Sequence, residues 1–507
     1  MRNQAHNAHD HTSMSPKRIP LLSKSRYLVG LQCHLRLWHH CYNRDLIAYP
    51  PATEAIFEAG HEVGELATRL YPRGIRIDTD PLGHRAAVQA TQDALKNPHI
   101  PAIYEAAFLY DDVQVKADII ARTNNGAFNL IEVKSSTSVK NEHVPDVAVQ
   151  YYVLRGAGVD IERVYLMHLN NQYVYAEGEL ELKSLFTASD LTDRMLAYQT
   201  EIPRKLAELR GMLRGPLPPM IFPSRNCRRP HTCEFWEECR KIMPEHWIME
   251  LAGIGQRRLD ELMEMGITDI ADVPEGFPLS EIQGRIRRCV KNNTEYLSHD
   301  LKAQLEAVEY PVHFLDFETL GLAIPRYAGT RPYQTIPFQW SDHILHKDGT
   351  IEHKEYLCGE DKDPRRELAR ALLDALGRQG SIFMYTGYER DIIESLAEDL
   401  PQHRKELRAI LDRLKDLHKI ISTSFYHPQF HGSFSLKAVL PALLPEMSYK
   451  NLSIQEGQEA SLEYLRMIDA STGQEEKERI RKNLLTYCGQ DTLAMVRIRE
   501  ELLKRCS

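Results

Sequence analysis

No apolar run in these 507 residues approaches the roughly 20 residues a membrane-spanning helix needs, and the N-terminal stretch lacks the apolar core of a secretion signal. The expectation is a cytoplasmic protein with no membrane partner. Positive charge is not in excess: 63 Lys and Arg face 71 Asp and Glu, a formal net charge of -8. That balance excludes a surface coated in positive potential, so a nucleic-acid partner would have to be met by local basic grooves. Cysteine is too sparse for a secreted disulfide scaffold, with nine residues, an odd count. The chain is nevertheless too long for a single core, and its length calls for about three domains.

Chemistry concentrates first in Phe128-Asn-Leu-Ile-Glu132-Val-Lys134, an apolar run that reads as a strand. Alternation places Glu132 and Lys134 on one face, and the preceding run Val115-Lys-Ala-Asp118 carries another acid. Two strands bringing Asp118, Glu132 and Lys134 together would offer hard oxygens to Mg²⁺ or Mn²⁺. The lysine would stand ready for a nucleophilic water or a phosphate oxygen. Downstream, Val147 to Leu154 reads as a helix carrying Gln150, and residues 54–70 have helical periodicity with His61 on them. Of the cysteines, Cys227, Cys233 and Cys239 recur at two equal intervals of five intervening residues, while Cys33 lies far upstream on an expected helix capped by serine. Three thiolates close together and one distant make a four-sulfur set that iron-sulfur clusters and zinc both accept.

A second acidic site opens at Val312-His-Phe-Leu-Asp316-Phe-Glu318, again two acids on one face of a strand. Near the C-terminus, Tyr487 and Asp491 are four apart and share a helix face. Between them, Tyr388-Glu389-Arg-Asp391 offers two competing acids. Between the two sites, Leu251-Ala-Gly253-Ile-Gly255-Gln-Arg257-Arg258 reads either as a phosphate-approaching hairpin or as a simple spacer. Ser435-Leu-Lys437 is expected to start a packed helix capped by Ser435, not to contact substrate.

The order Asp118, Glu132-Val133-Lys134, Gln150 resembles the PD-(D/E)xK nucleases of the Cas4 and RecB type. The resemblance implies His61 as a further metal ligand and a [4Fe-4S] cluster on Cys33, Cys227, Cys233 and Cys239, with zinc as the alternative. Asp316, Glu318 and the Tyr487-Asp491 pair resemble the DEDD exonucleases of the tyrosine-bearing subclass. That likeness implies metal ligation by Asp316, Glu318, Glu389 and Asp491, with Tyr487 orienting water. The whole resembles the DUF2779 family, in which a Cas4-like nuclease precedes a DEDD-like domain. One departure is Leu154 where the first group often has tyrosine.

The expected architecture is α/β and multidomain. Residues 1–21 form a disordered tail, 22–245 a restriction-endonuclease-like core with its cysteine cluster, 246–305 a helix-hairpin-helix-like linker, and 306–507 a ribonuclease H-like domain. The implied function is metal-dependent hydrolysis of DNA, with RNA as the second substrate class, in repair, processing or defence beside a partner such as a helicase. A nucleic-acid-binding scaffold with one or both sites inactive is the alternative.

Overall fold

The computed structural model describes residues 19–47, 51–78, 83–229 and 232–506, so the expected tail lies almost wholly outside the described residues. The protein is α/β and multidomain, with mixed sheets and many helices in two compact bodies. The first takes in residues 19–47, 60–78, 83–170, 181–229 and 232–239, and the second 51–59, 171–180 and 240–506. Among the described residues no helix is long and apolar enough to cross a membrane.

The first body is built on a seven-stranded sheet of β1 (Leu22–Ser23), β2 (Ile75–Arg76), β3 (Ala102–Tyr110), β4 (Val113–Arg122), β5 (Phe128–Lys134), β6 (Ile161–Leu169) and β7 (Phe186–Asp190). Its order is β2-β3-β4-β5-β6-β7, with β1 running parallel to the first residues of β4. The β4/β5 ladder runs from Arg122↔Phe128 to Ile119↔Ile131, and no pair extends it. From Glu132 onward β5 is held only by parallel β6, so its edge toward β4 opens into a wedge. The helix His143–Gly156 packs against β3, β4 and β6 and is buried along nearly its whole length, with Val147, Val149, Val153 and Leu154 fully inside. Each such aliphatic side chain contributes about 1.5–3 kcal/mol of burial, which fixes the helix over the wedge.

Ser23 caps the helix Lys24–Gln32, its hydroxyl accepting from the Arg26 N–H at 3.2 Å. Cys33 does not ride on that helix as expected. It is extended (φ -161°, ψ 126°) in a break before the helix His34–Tyr42, a kink that re-aims its thiol.

The second body has the sheet order β11-β10-β9-β12-β13. Its strands are β9 (Val312–Leu320), β10 (Ile336–Leu345), β11 (Ile351–Leu357), β12 (Ile382–Met384) and β13 (Leu414–Asp416), and a separate ribbon pairs β8 (Tyr296–Leu297) with β14 (Phe425–Tyr426). Strands β9, β10 and β11 are antiparallel, whereas β12 and β13 run parallel to β9. All ten residues of β10 are buried, because the helix Arg365–Leu376 and the 32-residue helix Gln474–Arg505 both pack against it. Several of its buried polar groups are paired: Ser341 Oγ lies 2.8 Å from Thr492 Oγ1, and one Asp342 oxygen lies 2.8 Å from His313. Residues 246–305 contribute the helices Gln256–Glu264 and Glu281–Asn292, but only a single 3₁₀ turn, Ile248–Glu250, precedes the Gly253-Ile-Gly255 bend.

Candidate functional site

The wedge beside β5 gathers four of the residues singled out in sequence. Asp118 projects from β4 and accepts the Val133 N–H at 2.7 Å, a backbone donor that the ladder leaves free. Glu132 is 1 % exposed and receives Lys134 Nζ at 2.7 Å and Gln150 Nε2 at 2.7 Å. Two further groups belong to the constellation. Lys24 Nζ reaches Glu132 at 2.9 Å and Asp146 at 3.2 Å, and Asp146 also pairs with Lys134 at 2.5 Å. Asp146 sits four residues before Gln150, so the helical spacing that marked Gln150 marks it too. Lys24 carries no local signal, because only the fold brings it across 108 residues. Glu105, with φ 53°, falls between the pairs Tyr104↔Ile119 and Ala106↔Ala117, opposite Asp118.

His61 is not brought to this group. The helix Pro51–Thr68 buries Val63, Leu66 and Ala67, which share a face, and that choice turns His61 to solvent.

Electrostatics separate the two acids. Burial, aided by Glu132, pushes Asp118 up to about 8 against the pull of Lys24 and Lys134. Burial acts on Glu132 as well, but Lys134, Lys24 and the Gln150 amide outweigh it and hold the carboxyl well below the usual range. Gln150 Oε1 is buried and accepts no hydrogen bond.

Cys33, Cys227, Cys233 and Cys239 line one small cavity, closed by Leu35, Arg36, His39 and Phe235. Glu234 supports its wall, accepting Arg36 Nε at 2.9 Å and Nη2 at 2.7 Å and facing His40 Nε2. Burial would raise the Glu234 carboxyl, yet the His40 and Arg36 hydrogen bonds bring it down to about 2. A depressed folded-state value contributes stability above the unfolded value near 4.5, lost as pH falls toward 2. Glu234→Gln should therefore lower the urea midpoint at pH 7 and flatten the acid limb between pH 4.5 and 2, measured by equilibrium unfolding at stepped pH.

In the second body, Asp316, Glu318 and Cys488 each present a ligand atom within 4.8 Å of one another. Asp491 joins from the long helix, accepting a short hydrogen bond from the Tyr449 hydroxyl. Glu389, not Asp391, belongs to the set: Glu389 is 3 % exposed and its charge acts on Asp316, whereas Asp391 faces solvent. Burial and then the neighbouring acids drive Asp316 and Glu318 well above the carboxylate range. Burial raises Glu389 to about 7 and Asp491 to about 6. Tyr487 is likewise raised, first by burial and then by Asp491. Glu389 Oε2 is buried without a donor.

Sequence reasoning missed Tyr449, Cys488 and Lys437 here. Ser435 stands at the N-cap of the helix Leu436–Leu443 without a side-chain capping bond. Lys437 is not mere helix packing: its Nζ lies 5.7 Å from the Tyr487 ring centre and 5.8 Å from that of Tyr449, and it pulls Glu318 and Asp491 downward.

Residues 313–435 match the family model described as a domain of unknown function, DUF2779. The match includes Asp316, Glu318 and Glu389 and ends before Tyr487 and Asp491. A solved protein described as the crystal structure of SSO0001 aligns over 45 % of this chain and 89 % of its own, at 16 % identity and a TM-score of 0.22, too slight a likeness to define a fold. No curated protein matches the chain.

Proposed function

We propose that the protein is a metal-dependent nuclease that hydrolyses phosphodiester bonds at two separate sites, acting exonucleolytically on DNA, with RNA as the second substrate class. The observation that carries this reading is the convergence of Asp118, Glu132, Lys134 and Gln150 where β5 leaves β4. Three consequences of that wedge suit the PD-(D/E)xK chemistry the sequence resembles: two carboxylates of unequal basicity, an ammonium beside them, and an amide oxygen with no donor. Asp118 and Glu132 would hold Mg²⁺ or Mn²⁺, a Lewis acid that supplies a nucleophile at neutral pH. Lys134 would orient the water or phosphate, and Gln150 would steady it.

In the second body, three antiparallel strands followed by two parallel ones support a ribonuclease H-like arrangement. Asp316, Glu318, Glu389 and Asp491 would hold the ions. With its hydroxyl raised, Tyr487 suits positioning water better than acting as a base. The donorless Glu389 Oε2 and the mutual repulsion of these acids fit a cation.

The four cysteines are assigned to a [4Fe-4S] cluster of structural role, in a reducing cytoplasmic compartment. Zinc, bound at about 2.3 Å, would hold sulfurs about 3.8 Å apart. Among the described residues no three of these thiols lie within 4.8 Å of one another, which favours the wider cluster.

The test is hydrolysis of end-labelled single and double strands in manganese. Glu132→Ala/Lys134→Ala and Asp316→Ala/Glu318→Ala should each abolish a different activity, by about 10³-fold or more. A wild-type chain that degrades no nucleic acid would defeat the catalytic reading. One observation favours the scaffold alternative: Lys24 already places a fixed positive charge 2.9 Å from Glu132. Calorimetric titration with Mn²⁺ separates the two, since an inactive site held by Lys24 binds no ion.

A further inference from the structure

His246, Glu250 and His431 lie outside both carboxylate clusters, and one ligand atom from each falls within 4.8 Å of the others. We propose that these three residues form a zinc site that pins the loop at His431 to the segment beginning at Arg240.

Two imidazoles and a carboxylate are the donor set zinc takes with one position left for water. The spacing suits it. His431 Nδ1 stands 3.3 Å from Glu250 Oε2, close to the roughly 3.4 Å edge of a tetrahedron with bonds of about 2.1 Å. The rings of His246 and His431 stack with centres 5.3 Å apart and planes 24° from parallel. His246 Nδ1 is buried and has no hydrogen-bond partner, the condition of a nitrogen that awaits an ion.

Each ligand is held from outside. The His246 carbonyl accepts the Ile270 N–H at 2.8 Å, and Trp247 bridges to Asp269. Glu250 Oε1 accepts Arg240 Nη2 at 2.9 Å, leaving Oε2 toward the histidines. His431 adopts φ 47°, a left-handed conformation that non-glycine residues seldom take. The next residue is Gly432 at φ 71°, where any Cβ would collide with the Glu250 carbonyl oxygen. The two backbones therefore meet closely at this point, across 181 residues of chain. A hydrogen-bonded pair with a stacked ring would account for His431 and Glu250, but not for the bare nitrogen of His246.

The experiment uses full-length protein, stripped with chelator and titrated with zinc alone, then with Co²⁺ under anaerobic conditions. Cobalt separates this site from the cysteines, because thiolate ligands give near-ultraviolet charge-transfer bands and a nitrogen-oxygen site gives only d–d bands. His431→Asn is the first variant, since asparagine tolerates the left-handed backbone, and His246→Gln is the second. Wild type should bind one more equivalent of zinc than either variant, show d–d absorption above that of either variant at equal thiolate charge transfer, and gain a zinc-dependent rise in melting temperature larger than either variant's. Metal-free melting of His431→Asn should match wild type. Equal zinc stoichiometry and affinity in wild type and both variants would overturn the assignment. The outcome is independent of whether either carboxylate site hydrolyses nucleic acid.

Discussion

Asp316→Asn should melt at a higher temperature than the wild-type chain when both are free of divalent metal near pH 8, and should lose all hydrolysis at the second site. Four acids share that site, and burial raises every one of them, with repulsion from neighbouring acids of the set adding to it at Asp316 and Glu318: Glu389 to about 7, Asp491 to about 6, Asp316 and Glu318 well above their ordinary range. For a group whose folded-state value exceeds the unfolded one, the stability it contributes is fully present below the unfolded value and is lost as pH rises through the folded value. Metal-free wild type should therefore weaken between about pH 5 and pH 8. Replacing Asp316 removes the acid that feels all three others. The gain should be on the order of 2 kcal/mol, which for a body of this size means about 4–8 °C. Mn²⁺ should reverse the ranking for the second body's transition, stabilising it in wild type and leaving it unchanged in the variant. Differential scanning calorimetry in chelator and in Mn²⁺, at pH 5 and pH 8, reads all of this. A variant that melts below wild type in chelator at pH 8 would show that the acids are not poised against one another.

The same cluster shows what a sequence can and cannot disclose. Alternation along a strand and four-residue spacing along a helix are local rules, and they sufficed to find Asp118, Glu132, Lys134, Asp316, Glu318, Tyr487 and Asp491. Lys24, Tyr449 and Lys437 obey no local rule toward these sites, since Lys24 and Tyr449 arrive from 108 and 42 residues away and Lys437 comes from a separate helix. Asp146 was legible in principle, one turn before Gln150 on the same helix, yet an aspartate in a first turn reads equally well as a complement to the helix dipole.

Burial decides what pattern leaves open. Glu389 and Asp391 are equivalent as letters, but on the helix Tyr388–Asp399 only the face carrying Glu389, Ile392, Ile393 and Leu396 turns inward. His61 faces solvent for the mirror reason, its helix having turned its apolar face, with Val63, Leu66 and Ala67, inward. No proline marks the break at Cys33, and the nearest glycine, Gly30, lies inside the preceding helix. The opening of β5 from β4 was equally invisible, because it depends on where a ladder stops and not on which residues form it.

Cys233→Ser should cost the first body more than any other single change. The four thiols line one apolar-walled cavity, and burial pushes Cys233 up to about 12 and Cys239 up to about 11. Such thiols are neutral at pH 7, so a bound cluster must displace their protons, and the binding free energy becomes folding free energy. Cys33 lies near the start of the described residues of this body and Cys227, Cys233 and Cys239 at their end, so the cluster closes a loop of nearly two hundred residues. Closing loops of that length is worth roughly 5 kcal/mol, and the body should lose about 10 °C or more in melting temperature. Serine cannot substitute, because its alkoxide is hard and does not form at neutral pH. Anaerobically purified wild type should be brown with about four irons per chain, and the variant colourless, with the first body's unfolding transition lowered and the second body's left in place. A wild-type chain that carries neither iron nor zinc, and a Cys233→Ser variant that melts beside it, would reduce the four cysteines to packed thiols.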